Sequence, residues 1–122
     1  MLDKLIYSKE KAEGELVSKA ETHTPEIVCP DVVRAGEPFE VKISITKHPN
    51  KFEHSIRYVD VFFVEEGRVF NPIKVAKAQF TPEYCEAEVT FKLKIQRSGK
   101  IVALAYCNLH GLWEGVKEIR VE

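Results

Sequence analysis

Phe39, Val41, Ile43 and Ile45 alternate with Glu40, Lys42, Ser44 and Thr46. A period of two sends every second side chain to one face, so this stretch can bury its apolar row only as a β-strand laid on a core. Val89, Phe91, Leu93 and Ile95 repeat the pattern against Thr90, Lys92 and Lys94. Residues 55–64, rich in Ile, Tyr, Val and Phe, form another strand that stops at the turn signal Glu65-Glu66-Gly67-Arg68, and residues 73–80 form a fainter one. Ile101–Tyr106 is apolar throughout, as a central strand covered on both faces would be, and Val116–Val121 follows Gly115 as a terminal strand. Ser98-Gly99-Lys100 reads as the tip of a hairpin joining the strands on either side. Ala35-Gly36-Glu37-Pro38 and Lys47-His48-Pro49-Asn50 punctuate the pattern, because proline has no ladder donor to offer. Several short strands without a periodic segment of helix length specify an all-β fold, an immunoglobulin-like antiparallel β-sandwich.

Residues 1–26 lack this alternation. They are polar and charge-rich, Gly14 interrupts any helical reading, and Pro25 favours an extended residue before it. The expectation is an irregular N-terminal arm, residues 1–26, forming one structural domain with a sandwich of residues 27–122. With 122 residues, 44% hydrophobic and 30% charged, the chain has material for one core and is not disordered. A formal charge of -1 supplies no general field for phosphate backbones, so no nucleic-acid partner is expected. No apolar run reaches the ~18 residues of a membrane span, and Met1-Leu2-Asp3-Lys4 is not the start of a signal peptide. The reading is a cytoplasmic protein without a membrane partner. Cys29, Cys85 and Cys107 are an odd set whose spacing fits neither a zinc finger nor a C-x-x-C redox pair. Cys29 and Cys85 are expected as buried free thiols, with their pairing left open.

All four histidines fall where strands are expected to stop: His23 before Pro25, His48 before Pro49, His54 shortly after, and His110 beyond Cys107. Cys107-x-x-His110 leaves a strand and enters a turn containing Gly111, so both side chains can converge on one ion. Imidazole nitrogen and thiolate sulfur suit iron, copper or zinc and suit magnesium or calcium poorly. Four histidines and one cysteine exceed the four ligands of structural zinc and leave one octahedral position for an exogenous ligand. Iron best combines such a set with a one-electron change, which points to redox chemistry on a small molecule. The alternative is a blue-copper-like electron-transfer protein. It is disfavoured because the lone methionine is Met1 and four histidines exceed the two that a trigonal copper site uses.

Glu21-Thr22-His23-Thr24-Pro25, His48-Pro49-Asn50-x-x-Glu53-His54-x-Ile56 and Cys107-Asn108-Leu109-His110-Gly111-Leu112-Trp113 together resemble superoxide reductases of the neelaredoxin and desulfoferrodoxin family. No four-cysteine rubredoxin-like segment precedes the arm, so the resemblance is to the one-iron class. It implies one iron per subunit (Fe2+/Fe3+), held by His23, His48, His54 and His110 in a plane and by Cys107 on the axis. It implies one-electron reduction of superoxide to hydrogen peroxide, a rubredoxin-like electron donor and a homotetramer. It also implies that Glu21 ligates the ferric ion after the product leaves. Thr22 stands where most members have a lysine that steers superoxide, and Lys47, Lys51 or Lys19 could supply the missing charge, with Lys47 or Lys51 preferred. Asn108 and the backbone of Leu109 and His110 are candidate hydrogen-bond donors to the Cys107 sulfur. Leu112 and Trp113 are candidates to shield the cysteine side of the ion from water.

Overall fold

A computed structural model describes residues Met1–Glu122. After a 3-10 turn at Leu2–Lys4 come helix α1 (Glu15–His23) and eight strands: β1 (Glu26–Val28), β2 (Val32–Val33), β3 (Phe39–Ser44), β4 (Ile56–Glu65), β5 (Ile73–Gln79), β6 (Glu88–Leu93), β7 (Gly99–Cys107) and β8 (Gly111–Val121). They form two sheets, one ordered β1-β3-β6 and the other β2-β8-β7-β4-β5. Every pairing is antiparallel except that of β2 with β8.

The alternation seen in the sequence decides which faces meet. On β3, Phe39, Val41 and Ile43 are buried while Glu40 and Lys42 are exposed. Its neighbour β6 places Leu93, Phe91 and Val89 opposite those three residues, so one apolar row spans both strands. The larger sheet answers with Val59, Val61 and Phe63 from β4, Ile101, Ala103 and Ala105 from β7, and Ile119 from β8. Fully burying each large aliphatic or aromatic side chain here stabilises the fold by roughly 1.5–3 kcal/mol, which fixes the register because a one-residue slip would turn these rows to water.

Three expectations need correction. The arm is not irregular throughout, because α1 occupies Glu15–His23 and therefore carries Glu21, Thr22 and His23. Gly14 does not interrupt the helix; it stands at its N-terminal boundary with φ 59°, and the helix ends at Thr24, as Pro25 requires. The helix buries only Ala20 and His23, too few positions to write an apolar stripe into the sequence. Second, Ser98-Gly99-Lys100 is not a hairpin tip, since β6 belongs to the smaller sheet and β7 to the larger. A Cβ on Gly99 would lie 2.1 Å from the Val64 carbonyl oxygen, so glycine is required there for close approach of β7 to β4. Third, β7 is central in its sheet but covered on one face only. Ile101, Ala103 and Ala105 are buried, whereas Val102, Leu104 and Tyr106 on the other face are half-buried.

Gly115 performs a similar service for the arm. A Cβ there would lie 2.3 Å from the Pro25 carbonyl oxygen, so the missing side chain lets the segment just after His23 lie against β8. Tyr7 adds a short parallel bridge to Trp113, with Tyr7 N–H donating to the Leu112 carbonyl at 2.9 Å and Glu114 N–H to the Tyr7 carbonyl at 2.8 Å. These contacts bring the end of α1 to the edge where β7 turns into β8.

Candidate metal centre

Three pieces of chain meet at that edge: the end of α1, the β3–β4 connection, and the turn from Cys107 to Gly111. Cys107 and Gly111 are the last paired residues of β7 and β8, and Gly111 closes the turn at φ 80°, a conformation that disfavours any residue with a Cβ. Ile56 pairs with Cys107 at the start of β4, which sets His54 and Ser55 beside the same turn.

Asn108 secures this junction. Its Oδ1 accepts from the Ser55 N–H and its Nδ2 donates to the Glu53 carbonyl, both at 2.9 Å, so the amide grips the peptide groups on either side of His54. The expected Asn108 bond to sulfur is therefore not made; the His110 N–H reaches Cys107 Sγ instead, at 3.4 Å. Two further braces were not foreseen from the sequence. Asn50 accepts from the Glu83 N–H at 2.9 Å and donates to the Cys85 carbonyl at 3.2 Å, fastening the loop after His48 to the β5–β6 connection. Arg57 donates to Ser55 Oγ at 2.8 Å and to the Phe52 carbonyl at 2.6 Å. Asn50 is in a loop and its partners lie 33 and 35 positions away, while Arg57 braces the residues just before its own strand, and neither residue type announces such a role.

His23, His48, His54, Cys107 and His110 converge so closely that one ligand atom from each lies within 4.8 Å of all the others. The imidazoles form a near-square ring. Successive centroids, His23 to His48, His48 to His54, His54 to His110 and His110 to His23, are 4.5, 4.5, 5.0 and 5.0 Å apart, with neighbouring planes at 73–88°. The diagonal from His23 to His54 is 6.4 Å, close to the proportion a square demands. Cys107 Sγ lies 3.3 Å from His48 Nε2 and 3.7 Å from His110 Nδ1. His23, His48 and Cys107 are buried, and His54 and His110 are half-buried, so the accessible edge of the cluster is on their side.

The protonation pattern suits a cation. His23 Nδ1–H donates to the Lys19 carbonyl at 2.8 Å and His48 Nδ1–H to the Pro49 carbonyl at 2.7 Å, leaving both Nε2 atoms as lone-pair donors. Burial holds His23 down at about 4, with the neighbouring imidazoles adding to the effect and the Lys19 carbonyl opposing it. Burial likewise lowers His48, and burial together with the Lys19 charge lowers His110. The buried His54 Nε2 has no hydrogen-bond partner. A lone pair desolvated and left unpaired costs free energy that a bound metal would recover. His23 Nε2 and His110 Nδ1 stand 3.1 Å apart, close enough for one ion to be shared between them.

The other expected site residues fall around this cluster. Thr22 Oγ1 lies 2.8 Å from His23 Nδ1 and donates to the Lys19 carbonyl at 3.1 Å, on the side of the ring away from the other ligands. Glu21 and Lys47 are exposed and face each other at 3.4 Å. Trp113 is fully buried, with its ring 5.1 Å from His23 and its Nε1–H on the His110 carbonyl at 3.1 Å. It thus packs on an imidazole more than on the sulfur. Met1 is 93% exposed and no methionine approaches the cluster, which removes the axial ligand of the copper alternative. Cys29 and Cys85 are free thiols, but Cys85 is exposed, which corrects the expectation of burial.

Comparison with known proteins bears on the same residues. The Desulfoferrodoxin family matches residues 15–116, a span that holds all five converging side chains. The neelaredoxin of Megalodesulfovibrio gigas is 39% identical over 119 residues, with 85% of this chain and 91% of that protein covered. The superoxide reductase of Pyrococcus furiosus is 39% identical over 111 residues, covering 79% and 86%. Among solved structures, the superoxide reductase (neelaredoxin) from Ignicoccus hospitalis superposes with a TM-score of 0.94 at 52% identity, covering 100% of this chain and 99% of that one.

Proposed function

This chain belongs to the desulfoferrodoxin family, and from that premise we propose the following reading of its site. The protein is a superoxide reductase that converts superoxide to hydrogen peroxide at a mononuclear non-haem iron centre. His23, His48, His54 and His110 would hold the iron through imidazole nitrogen and Cys107 through its thiolate sulfur. The observation that carries this reading is the near-square of imidazoles with Cys107 Sγ beside it, all five ligand atoms within 4.8 Å.

When bound, ferrous iron supplies the one electron which, with two protons, turns superoxide into hydrogen peroxide, and an external donor returns the ferric ion to the ferrous state. The chain's own groups do the rest. Neutral imidazoles and a single thiolate leave the loaded centre positive, so an anion is drawn to it despite a chain charge of -1. Lys47 adds to that field, and Lys19, whose charge already acts on His110, adds more. Thr22 lacks the charge of the family's usual lysine and instead holds the His23 ring by its Nδ1 edge. The His110 N–H draws electron density from the sulfur and tempers its donation. Glu21, paired with Lys47 at 3.4 Å and exposed, would be the carboxylate available to the loaded centre. Trp113 closes the His23 side against water.

The electron donor is a small rubredoxin-like protein, and the subunits assemble as a homotetramer in the cytoplasm. No helix of the chain is long and apolar enough to cross a membrane. The test is a single-turnover reaction of the reduced, iron-loaded protein with a superoxide pulse, measuring peroxide, oxygen and iron oxidised together. Peroxide equal to iron oxidised, without oxygen, is expected. Oxygen in equal amount would indicate dismutation, and reversible redox without superoxide consumption would indicate simple electron carriage.

A further inference from the structure

Beside the cluster runs a row of rings that holding an ion does not require. Trp113 is the one aromatic ring, other than the imidazoles themselves, that packs against a ligand. Its centroid lies 5.1 Å from that of His23, and its Nε1–H donates to the carbonyl of a second ligand, His110, at 3.1 Å. Trp113 is fully buried. Tyr7 continues the line outward, with its ring centroid 5.0 Å from that of Trp113. Because Tyr7 is half-buried, His23, Trp113 and Tyr7 lead from the metal centre to the surface in contact steps. Excluding water from the His23 side needs only apolar bulk, so it does not account for two electron-rich rings in line.

Tyr7 is fixed where it stands. Its main chain bonds to β8 on both sides of Trp113, through the Leu112 carbonyl and the Glu114 N–H, and its ring lies over the ligand turn, 3.7 Å from where a Cβ on Gly111 would be. The other tyrosine pair, Tyr58 and Tyr106 at 5.3 Å, reaches none of the imidazoles. Indole and phenol are, with the sulfur side chains, the groups from which a protein gives up electrons most readily, but they yield them only to strong oxidants. Electrons arriving from a donor protein have no use for such a row. A centre that makes hydrogen peroxide, by contrast, has a strong oxidant at hand after every turnover.

We propose that Trp113 and Tyr7 supply an electron to the metal centre when hydrogen peroxide reacts there instead of leaving, so that a phenol near the surface is oxidised in place of an iron ligand. This rests on the reading of the site above and adds a second activity to it, the reduction of peroxide to water. Hydrogen peroxide takes up two electrons and two protons, its O–O bond breaks, and two waters form. One electron comes from ferrous iron, which becomes ferric. The other comes from Trp113, which Tyr7 refills, and the Tyr7 phenol gives its proton to solvent as solvent gives two to the peroxide. Trp113 keeps its Nε1–H on the His110 carbonyl throughout. A thiol in solution then returns one electron and one proton to Tyr7. Without the row, the same oxidising equivalent would fall on the Cys107 sulfur and the imidazoles, and the ion would be lost.

The experiment mixes the ferrous, iron-loaded protein with an equivalent of hydrogen peroxide, freezes it within milliseconds and reads organic radicals by electron paramagnetic resonance. Peptide mass spectrometry locates oxidised side chains, a chelator counts iron released by repeated pulses, and circular dichroism checks folding. The unaltered protein is expected to give a tyrosyl signal that changes when its tyrosine rings are deuterated. Tyr7→Phe keeps the ring and both main-chain bonds. It is expected to abolish the signal, to leave oxidation on Trp113 instead, and to release iron several times faster. Trp113→Phe is expected to abolish the signal although Tyr7 is present, and Tyr106→Phe to change nothing. If Trp113→Phe does not fold, Tyr7→Phe decides alone. No radical in the unaltered protein, a tyrosyl signal that persists in Tyr7→Phe, or equal iron loss in the two would overturn the proposal. Because peroxide is added directly, each of those results leaves the superoxide chemistry standing. Failure of the five ligands to hold iron would overturn the site reading and this proposal together.

Discussion

Replacing Asn108 with alanine separates two roles that its position beside Cys107 confuses. The amide makes two bonds of 2.9 Å, one from the Ser55 N–H and one to the Glu53 carbonyl, and none to sulfur. Ser55 is 1% exposed, so its N–H would lose its acceptor where water does not reach. Stranding that donor costs about 1–3 kcal/mol and losing the second bond about 1 kcal/mol more, roughly 2–4 kcal/mol in all. For a domain of this size the iron-free protein should melt roughly 10 °C lower. His54 sits between the two released peptides, so ferrous iron affinity, measured by competition with a chelator, should fall about 10- to 100-fold. The His110 N–H to Cys107 Sγ contact remains, so the reduction potential should move by less than the ~59 mV that a tenfold difference between the two oxidation states would produce. A shifted potential with unchanged melting and unchanged affinity would refute this reasoning and return the side chain to the sulfur.

Gly115→Ala should lower stability by about 1–3 kcal/mol and weaken iron binding together, because its Cβ would displace the Pro25 carbonyl oxygen now 2.3 Å away and His23 with it; unchanged iron affinity by chelator competition would oppose the link. The iron-free protein should lose stability as pH falls. His23 is held neutral at about 4 in the folded chain against 6.5 unfolded, so its contribution is present above 6.5 and drains by up to about 3 kcal/mol as pH drops through 4. Denaturant midpoints that fall just as steeply in a His23→Gln variant would show that another group is responsible. Lys47→Ala should slow the second-order reaction with superoxide and flatten its salt dependence, while releasing Glu21 from its 3.4 Å contact should alter the ferric spectrum. Stopped-flow rates identical to those of the unaltered protein at all ionic strengths would remove Lys47 from the field that guides the anion.

The strands were legible because burial on a sheet imposes a period of two, and Phe39, Val41 and Ile43 or Val89, Phe91 and Leu93 display it without interruption. Which strands pair was less so. Ser98-Gly99-Lys100 carries the composition of a hairpin tip, yet Gly99 is there to let Val64 come close, and composition does not distinguish a tight turn from a tight approach. Helix α1 was hidden by having just two buried residues, whose spacing cannot outweigh a glycine at one end and a proline at the other. The five converging side chains were readable because histidine and cysteine advertise their chemistry wherever they stand. The groups that hold them were not. The bond of Asn108 is to the peptides around His54, although its proximity in sequence to Cys107 suggests the sulfur, and Asn50 acts on a connection that only the folded chain brings near.

The attachment of α1 has a consequence for the lifetime of the protein. The helix meets the rest of the molecule mainly through Ala20 and the His23 ring, and His110, the imidazole that His23 touches, is 87 positions away along the chain. If both hold an ion, as proposed, the arm cannot lift without breaking a coordinate bond. Without the ion, the arm is held by Ala20, the Tyr7 main-chain bonds to β8 and the approach of Pro25 to Gly115 alone, so its opening should cost less and proteases should reach it sooner. Iron supply would then set how long each molecule survives, so that a starved cell clears the copies it cannot load.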